Sequence, residues 1–163
     1  ILWLAAGDTP NPGPTFATTE ARCLARIEYL PHIAKRYSRV TTRPQTQDEL
    51  ADFMLVQWQH DRRVEGFRPW NALVEGRLAG VVQTHAYELM LEMIRCGGCI
   101  GLLPTYMARF DRGVVALPGL FAEPMQLHAW LAVNADSQNT PEIKALADLI
   151  QQTFNERHEW FQP

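Results

Sequence analysis

The sequence predicts a wound α/β fold, with helices laid on a mainly parallel sheet. Short apolar runs alternate with amphipathic stretches along most of its length. The segment IRCGGCIGLLPTY, Ile94 to Tyr106, packs a helix end, a glycine turn and a buried strand into thirteen residues. At 163 residues, with 47% apolar and 20% charged side chains, the chain has the make-up of a folded globular protein. That length supports one substantial core or two small lobes.

The elements follow in order. Ile1 to Ala6 is a continuously apolar run, the pattern of a strand buried on both faces. GDTPNPGP, Gly7 to Pro14, is a loop, because its prolines and glycines forbid regular structure. Cys23 to Leu30 is a strand, and Pro31 to Tyr37 a short helical turn. Thr46, with Glu49 three residues on, makes a capping box that starts a short helix before the strand Met54 to Trp58. His60 to Leu73 reads as a loop or small hairpin, in which Phe67 and Trp70 either stack on a ligand with Trp58 or form a satellite core.

Leu78 to Thr84 is the next strand, and Ala86 to Cys96 the clearest helix. Leu89, Met90, Met93 and Ile94 form its apolar stripe. Strand Ile100 to Leu103, a helical turn Tyr106 to Phe110 and strand Val114 to Leu117 follow. Met125 to Val133 is a longer strand rich in β formers. Thr140 as N-cap and Pro141 at the first helical position open the last helix. Ile143, Leu146, Ala147, Ile150 and Phe154 line its apolar face.

Charge and cysteine content narrow the function. Fifteen basic against eighteen acidic residues, a net charge of -3, argue against nucleic-acid binding by this chain alone. Cys23, Cys96 and Cys99 are an odd set in a chain too large to need staples, which favours a reducing, cytoplasmic setting. There is no apolar run of the roughly 20 residues a membrane span needs, and no signal peptide. Ile1 is no natural start, so the chain reads as a fragment of a longer polypeptide.

Several motifs invite chemistry that their context refuses. Cys96-Gly97-Gly98-Cys99 has redox spacing, but Cys96 closes a helix, where the dipole disfavours a thiolate. The pair lacks the further ligands of a zinc site, and both cysteines read as small buried residues. Gly97, Gly98 and Gly101 close a helix and open a strand, the reverse of a phosphate-binding loop. Gly97 reads as a left-handed C-cap.

Ser38 and Ser137 lie in polar connections without a nucleophile elbow. The five histidines show no metal-ligand spacing. Asp61 with Glu65, or Asp48 with Glu49, resemble paired carboxylates, but a solvated charged surface explains them more simply. No catalytic residue, metal site or cofactor is implied. One corner remains. Thr84, His85 and Tyr87 lie where a strand ends and a helix begins, and free N–H groups there bind carboxylates. The alternative is that Thr84 caps the helix and His85 is solvated.

The segment VVQTHAYELMLEMIRCGGCIGLLPTYMARFDRGVVALPGL resembles the effector-binding domain of LysR-type transcriptional regulators. Gly98, Gly101, Leu103, Pro104 and Ala108 fit that family's Gly-x-Gly-Ile-x-x-Leu-Pro-x-x-x-Ala motif, and VVALP fits the strand after it. HIAKRYSRVTTRPQTQDELADF upstream, and LHAWLAV with TPEIKALADLIQQTF downstream, agree with the same pattern. The resemblance implies two Rossmann-like lobes joined by two crossover strands, the type II periplasmic-binding-protein-like fold. Residues 1–24 and 123–163 would form the first lobe, and 25–122 the second.

It further implies a small, anionic effector bound between the lobes, with contacts from Thr84, His85, Leu103, Pro104 and Thr105. An arginine such as Arg62 or Arg68 lining the cleft would favour an anion. The family's N-terminal winged helix-turn-helix and the first strand and helix of the first lobe are not recognised in the chain. DNA contact and assembly into a homodimer or homotetramer therefore belong to the full-length protein. The domain is expected to be a cytoplasmic sensor and not an enzyme. The alternatives are a periplasmic-type solute-binding protein and a small bilobal α/β enzyme.

Overall fold

The structure, a computed structural model, describes residues 1–10, 13–14, 18–36 and 43–161, with the side chains at 18 and 19 excepted. Asn11 and Pro12 of the proline-rich loop, Tyr37 and Ser38 lie outside them. The strands are β1 (Leu2–Ala5), β2 (Thr18–Ala34), β3 (Leu55–Trp58), β4 (Val81–Thr84), β5 (Ile100–Pro104), β6 (Val114–Ala116) and β7 (Met125–Asn134). The helices are α1 (Arg68–Glu75), α2 (Tyr87–Arg95), α3 (Met107–Phe110) and α4 (Pro141–Glu156). They divide into two units, Ile1–Glu28 with Gln126–Pro163, and Tyr29–Met125.

In the second unit the strand order is β2-β5-β3-β4, with β6 also on β2. Here β3 pairs in parallel with β4 and with β5, whereas β2 runs antiparallel to β5 and β6. The sheet is thus mixed and not mainly parallel. Parallel pairing is confined to the strands joined by helical crossovers, β3-α1-β4 and β4-α2-β5.

Alternation along β3 sends neighbouring residues to opposite faces. Val56 packs into a core with Met90 and Ile94 of α2, Leu103 of β5, Cys99 and Val114. Gln57, on the other face, donates to Asn71 Oδ1 of α1 at 2.6 Å. Helices therefore cover both faces, and Leu55, Val56, Met90, Ile94 and Leu103 are fully buried.

The turn from α2 into β5 follows the expected chemistry. Gly97 has φ of 77°, the left-handed conformation glycine adopts without strain, and Gly98 N donates to Met93 O at 3.0 Å. Gly101 is held by packing instead. A Cβ there would lie 2.5 Å from Ile94 Cδ1 and 2.9 Å from Val56 Cγ1. The helix can sit this close to the sheet only because position 101 has no side chain.

Several expectations are corrected. Pro31–Ala34 continues β2 and is not a helical turn, since His32, Ile33 and Ala34 pair with Ala116, Val115 and Val114. His60 to Leu73 is neither loop nor hairpin: 3-10 turns over Gln59–Arg63 and Glu65–Phe67 lead into α1, where proline occupies the first turn. Phe67 and Trp70 are at most 1% exposed, which makes them core. The Thr46 capping box is half formed. Thr46 Oγ1 accepts from Glu49 N at 3.4 Å, but Glu49 Oε2 turns to Gln45 N at 2.7 Å and the helix is a 3-10 turn, Asp48–Asp52.

In α2, Met90 and Ile94 are buried, while Leu89 is exposed. Cys99 is buried, but Cys96 is exposed, because it caps the helix with its side chain outward.

In the first unit β7 lies between β1 and β2. β1 is an edge strand, antiparallel to β7 alone, so Leu2 and Leu4 stay about half exposed and only Ala5 is buried. It is not buried on both faces as its composition implied. His128 on β7 is 7% exposed and faces Asp8 at 3.2 Å. On α4 only Ala147 is buried; Leu146 and Leu149 are exposed.

Replacing Gly101 with alanine forces a methyl group against Ile94 and Val56. Urea denaturation of Gly101→Ala should show a loss of about 1–3 kcal/mol. Unchanged stability would mean that α2 is free to move away.

Candidate functional site

Parallel strands end on one side, and in open α/β sheets ligands bind beyond those carboxyl ends. In the second unit the ends are Trp58 of β3, Thr84 of β4 and Pro104 of β5, with Trp58 opposite Thr84 in the parallel register. Thr84 is 8% exposed, and its Oγ1 accepts from Ala86 N at 3.1 Å. That hydroxyl holds the corner and caps no deeper N–H. The N–H groups of a helix's first turn have no intrahelical acceptor, and among the described residues no side chain caps those of α2.

His85 is exposed, and its carbonyl accepts from Trp58 Nε1 at 3.0 Å. The Trp58 indole stacks on His60 at 4.8 Å and meets Tyr87 edge-on at 5.4 Å. Of the remaining residues taken from the motif, Leu103 is wholly enclosed in the α2 core, Pro104 pairs with Tyr29 in β2, and Thr105 follows β5 half-buried. Thr84, His85 and Thr105 thus stand at strand ends, whereas the Leu103 side chain faces the interior.

A cavity of about 710 Å³ lies beside this corner, lined by Gln59, His60, Arg62, Arg63, Val64, Glu75 and His85. Arg62 and Arg63 are exposed, and neither makes an ion pair or hydrogen bond among the described residues. Unpaired guanidinium groups beside a helix start attract anions. Arg68, by contrast, lies on α1 against Glu123 at 3.5 Å, with both side chains exposed.

The same 3-10 turn carries Asp61, which the sequence analysis assigned to a solvated charged surface and the structure instead buries. Asp61 is only 9% exposed, and its carboxylate has no hydrogen bond or ion pair among the described residues. Burial pushes its carboxyl up to about 7. Its main-chain carbonyl accepts from Asn71 Nδ2 at 2.9 Å, and Gln83 Nε2 joins the chain through Gln57 Oε1 at 3.2 Å. An amide relay, buried at Gln57 and Asn71 and reaching the exposed Gln83, therefore ties α1 and β3 to the turn.

Burial raises the phenols of Tyr29 and Tyr87, the latter to about 12, with smaller contributions from Tyr106 and then Asp61. No group of three or more His, Cys, Asp or Glu side chains suited to a metal ion occurs among the described residues. Nor is any described helix long and apolar enough to cross a membrane.

The sequence profile of the LysR substrate binding domain matches residues 7–155. The chain belongs to that family. The match is to the regulator domain, which sets aside the solute-binding alternative. No curated protein is matched.

Solved LysR regulatory domains share the fold. The effector domain of AmpR from Pseudomonas aeruginosa superposes with a TM-score of 0.63 at 15% identity, covering 97% of this chain and 73% of that one. The CrgA regulatory domain from Neisseria meningitidis gives 0.63 at 14%, covering 94% and 74%. Full-length AphB, a virulence activator of Vibrio cholerae, gives 0.61 at 14%, covering 94% of this chain but 51% of that one. The chain thus spans about half of that regulator. The LysR domain fold is the periplasmic-binding-like arrangement of a mixed sheet with flanking helices.

Two buried groups give the domain a pH-dependent stability. Asp61 is neutral in the fold below about 7 and ionised in the unfolded chain above 3.8. Stability from this group is full below pH 3.8 and falls by up to about 4 kcal/mol as pH rises to 7. His32 has the opposite sign. Wholly buried, with one ring nitrogen bonded to Leu30 O at 2.8 Å, it is lowered by burial to about 4. Its stabilisation is full above pH 6.5 and falls by up to about 3 kcal/mol as pH drops to 4.

Between those values the slopes oppose. Asp61→Asn should remove one and leave stability rising with pH from 4 to 6.5. In urea denaturation the variant should exceed the parent by about 2–4 kcal/mol at pH 8 and match it near pH 4. An Asp61→Asn variant no more stable than the parent at pH 8 would contradict this assignment.

Proposed function

We propose that this chain is the effector-sensing domain of a LysR-type transcriptional regulator, and that a small organic anion binds at the carboxyl edge of its second unit. The observation that carries the reading is the unpaired Arg62 and Arg63 beside a corner where α2 begins uncapped. An anion there accepts from the free N–H groups of α2, with Thr84 and His85 at the corner and the Thr105 turn alongside. Leu103 and Pro104 contribute by fixing the end of β5. In this reading the two units, Ile1–Glu28 with Gln126–Pro163 and Tyr29–Met125, are the domain's lobes.

Sensing needs no catalysis. An effector that favours one arrangement of the domain shifts its population, and the shift passes to partner subunits and to DNA contacts made by a winged helix-turn-helix domain. The full-length protein would act in the cytoplasm as a homodimer or homotetramer.

The test is a melting screen of the chain with organic carboxylates at low ionic strength. A ligand at a hundred times its Kd adds about 2.7 kcal/mol, which raises the Tm by about 5–10 °C. Replacing both Arg62 and Arg63 with alanine should weaken that ligand at least tenfold. Added salt should weaken it as well. A screen without any shift, or equal binding by the double variant, would remove this reading.

A further inference from the structure

The cavity beside α2 carries both signs of charge, and the anion site uses only one of them. Glu75 lines it together with Arg62 and Arg63, yet among the described residues its carboxylate has no hydrogen bond or ion pair. The fold itself does not call for an acid here. Glu75 is exposed and ends α1, where the helix dipole disfavours a carboxylate and no basic side chain of the last turn offsets it. A bound carboxylate would be repelled by it as well. Glu75 therefore sets a requirement that a bare anion does not meet: the ligand must bring a hydrogen-bond donor.

The rest of the lining says which donor. Gln59 is half-buried, His60 and His85 are exposed, and none of these side chains makes a hydrogen bond among the described residues. Trp58 fixes both histidines: its ring stacks on His60 at 4.8 Å, and its Nε1 donates to His85 O at 3.0 Å. Among the described residues Val64 is the only aliphatic side chain of the lining, so an apolar body would bury little there. An ammonium group would satisfy Glu75 but face two guanidinium groups. A hydroxyl carries no charge, donates to Glu75, and exchanges hydrogen bonds with Gln59 and the imidazoles. The volume of about 710 Å³ is that of a pocket for a whole ligand, with room for several hydroxyls beside one acidic group.

We propose that the effector is a polyhydroxylated anion, a sugar acid or sugar phosphate: its acidic group meets Arg62, Arg63 and the start of α2, and its hydroxyls meet Glu75 and Gln59. This deepens, and rests on, the anion site proposed above. All of these residues lie in the second unit. Carboxylate and phosphate both suit guanidinium groups, so the shared chemistry is one anionic end on a body of hydroxyls.

The experiment is titration calorimetry on the chain with three sets of probes. The first holds sugar acids, gluconate and glucuronate among them, and the hexose monophosphates. The second holds their hydroxyl-free counterparts, hexanoate and hexyl phosphate, with ε-aminocaproate as the ammonium analogue. The third is uncharged glucose. At least one hydroxylated anion should bind about ten- to a hundredfold more tightly than its hydroxyl-free counterpart, the factor a hydrogen bond to a charged group supplies. Glucose should bind at least tenfold more weakly than that anion. A preference within the first set tells carboxylate from phosphate. Glu75→Gln should cut the ratio of hydroxylated to hydroxyl-free affinity at least fivefold, while hexanoate binds the variant as tightly as the parent or more so.

Hydroxyl-free acids binding as tightly as hydroxylated ones would overturn the polyhydroxylated ligand and leave the anion site standing. So would an unchanged ratio in Glu75→Gln, or ε-aminocaproate binding more tightly than every hydroxylated anion. If no anion binds the parent, or glucose binds as tightly as the anions, both readings fall. Glu75→Gln should melt at or above the parent's temperature, since the charge it removes opposes the helix dipole. A damaged fold would weaken both kinds of acid alike, and the ratio tells that apart from a lost contact.

Discussion

The second unit depends on one close approach, α2 against β3 and β5. Gly101 has no side chain, and into that space come Ile94 from the helix and Val56 from the neighbouring strand. Because the helix is seated here, Met90 and Ile94 close the core over Leu103. The left-handed turn at Gly97 returns the chain at once into β5. The start of α2 is thereby carried to the ends of β3 and β4, where Trp58 and Thr84 stand in register. A loose helix would leave those groups without a common address.

The opposite face of β3 holds a second constraint, made of amides and not of apolar contact. Gln57, Asn71 and Gln83 are joined by hydrogen bonds, and Asn71 reaches the main chain of Asp61. Such a relay specifies one arrangement of the Gln59–Arg63 turn, since each unmade bond would cost about 1–3 kcal/mol in the interior. The turn then divides its side chains. Two guanidinium groups line a cavity, while the residue before them, Asp61, is buried. Opposite charges on successive residues are kept apart by the backbone between them.

Much of the site was legible as a pattern of local elements. The corner at Thr84 and His85 was legible as a strand end meeting a helix start, because a β-branched apolar run passes abruptly into an amphipathic helix. Of the two arginines considered, Arg62 lines the cavity together with Arg63, whereas Arg68 lies against Glu123. Asp61 was missed. In HDRRVEG it is indistinguishable from a solvated charge, because its burial is a product of folding, with Asn71 of α1 bonded to its main-chain carbonyl. Leu103 shows the same limit: the motif points to it, but strand residues alternate and this side chain faces the interior.

The sequence by itself determined the family, the helices with regular apolar spacing, and the Gly97 reversal, because each rests on residues adjacent in the chain. It also determined where most strands lie, and its run of motifs in order identified the domain. Tertiary structure decided the rest. Pro31–Ala34 became strand because β6 was present to pair with it, and β1 became an exposed edge because only β7 was. Whether a charge is withdrawn or displayed depends on partners brought together by folding, and those are contacts between residues tens of positions apart. Local pattern carries no record of them.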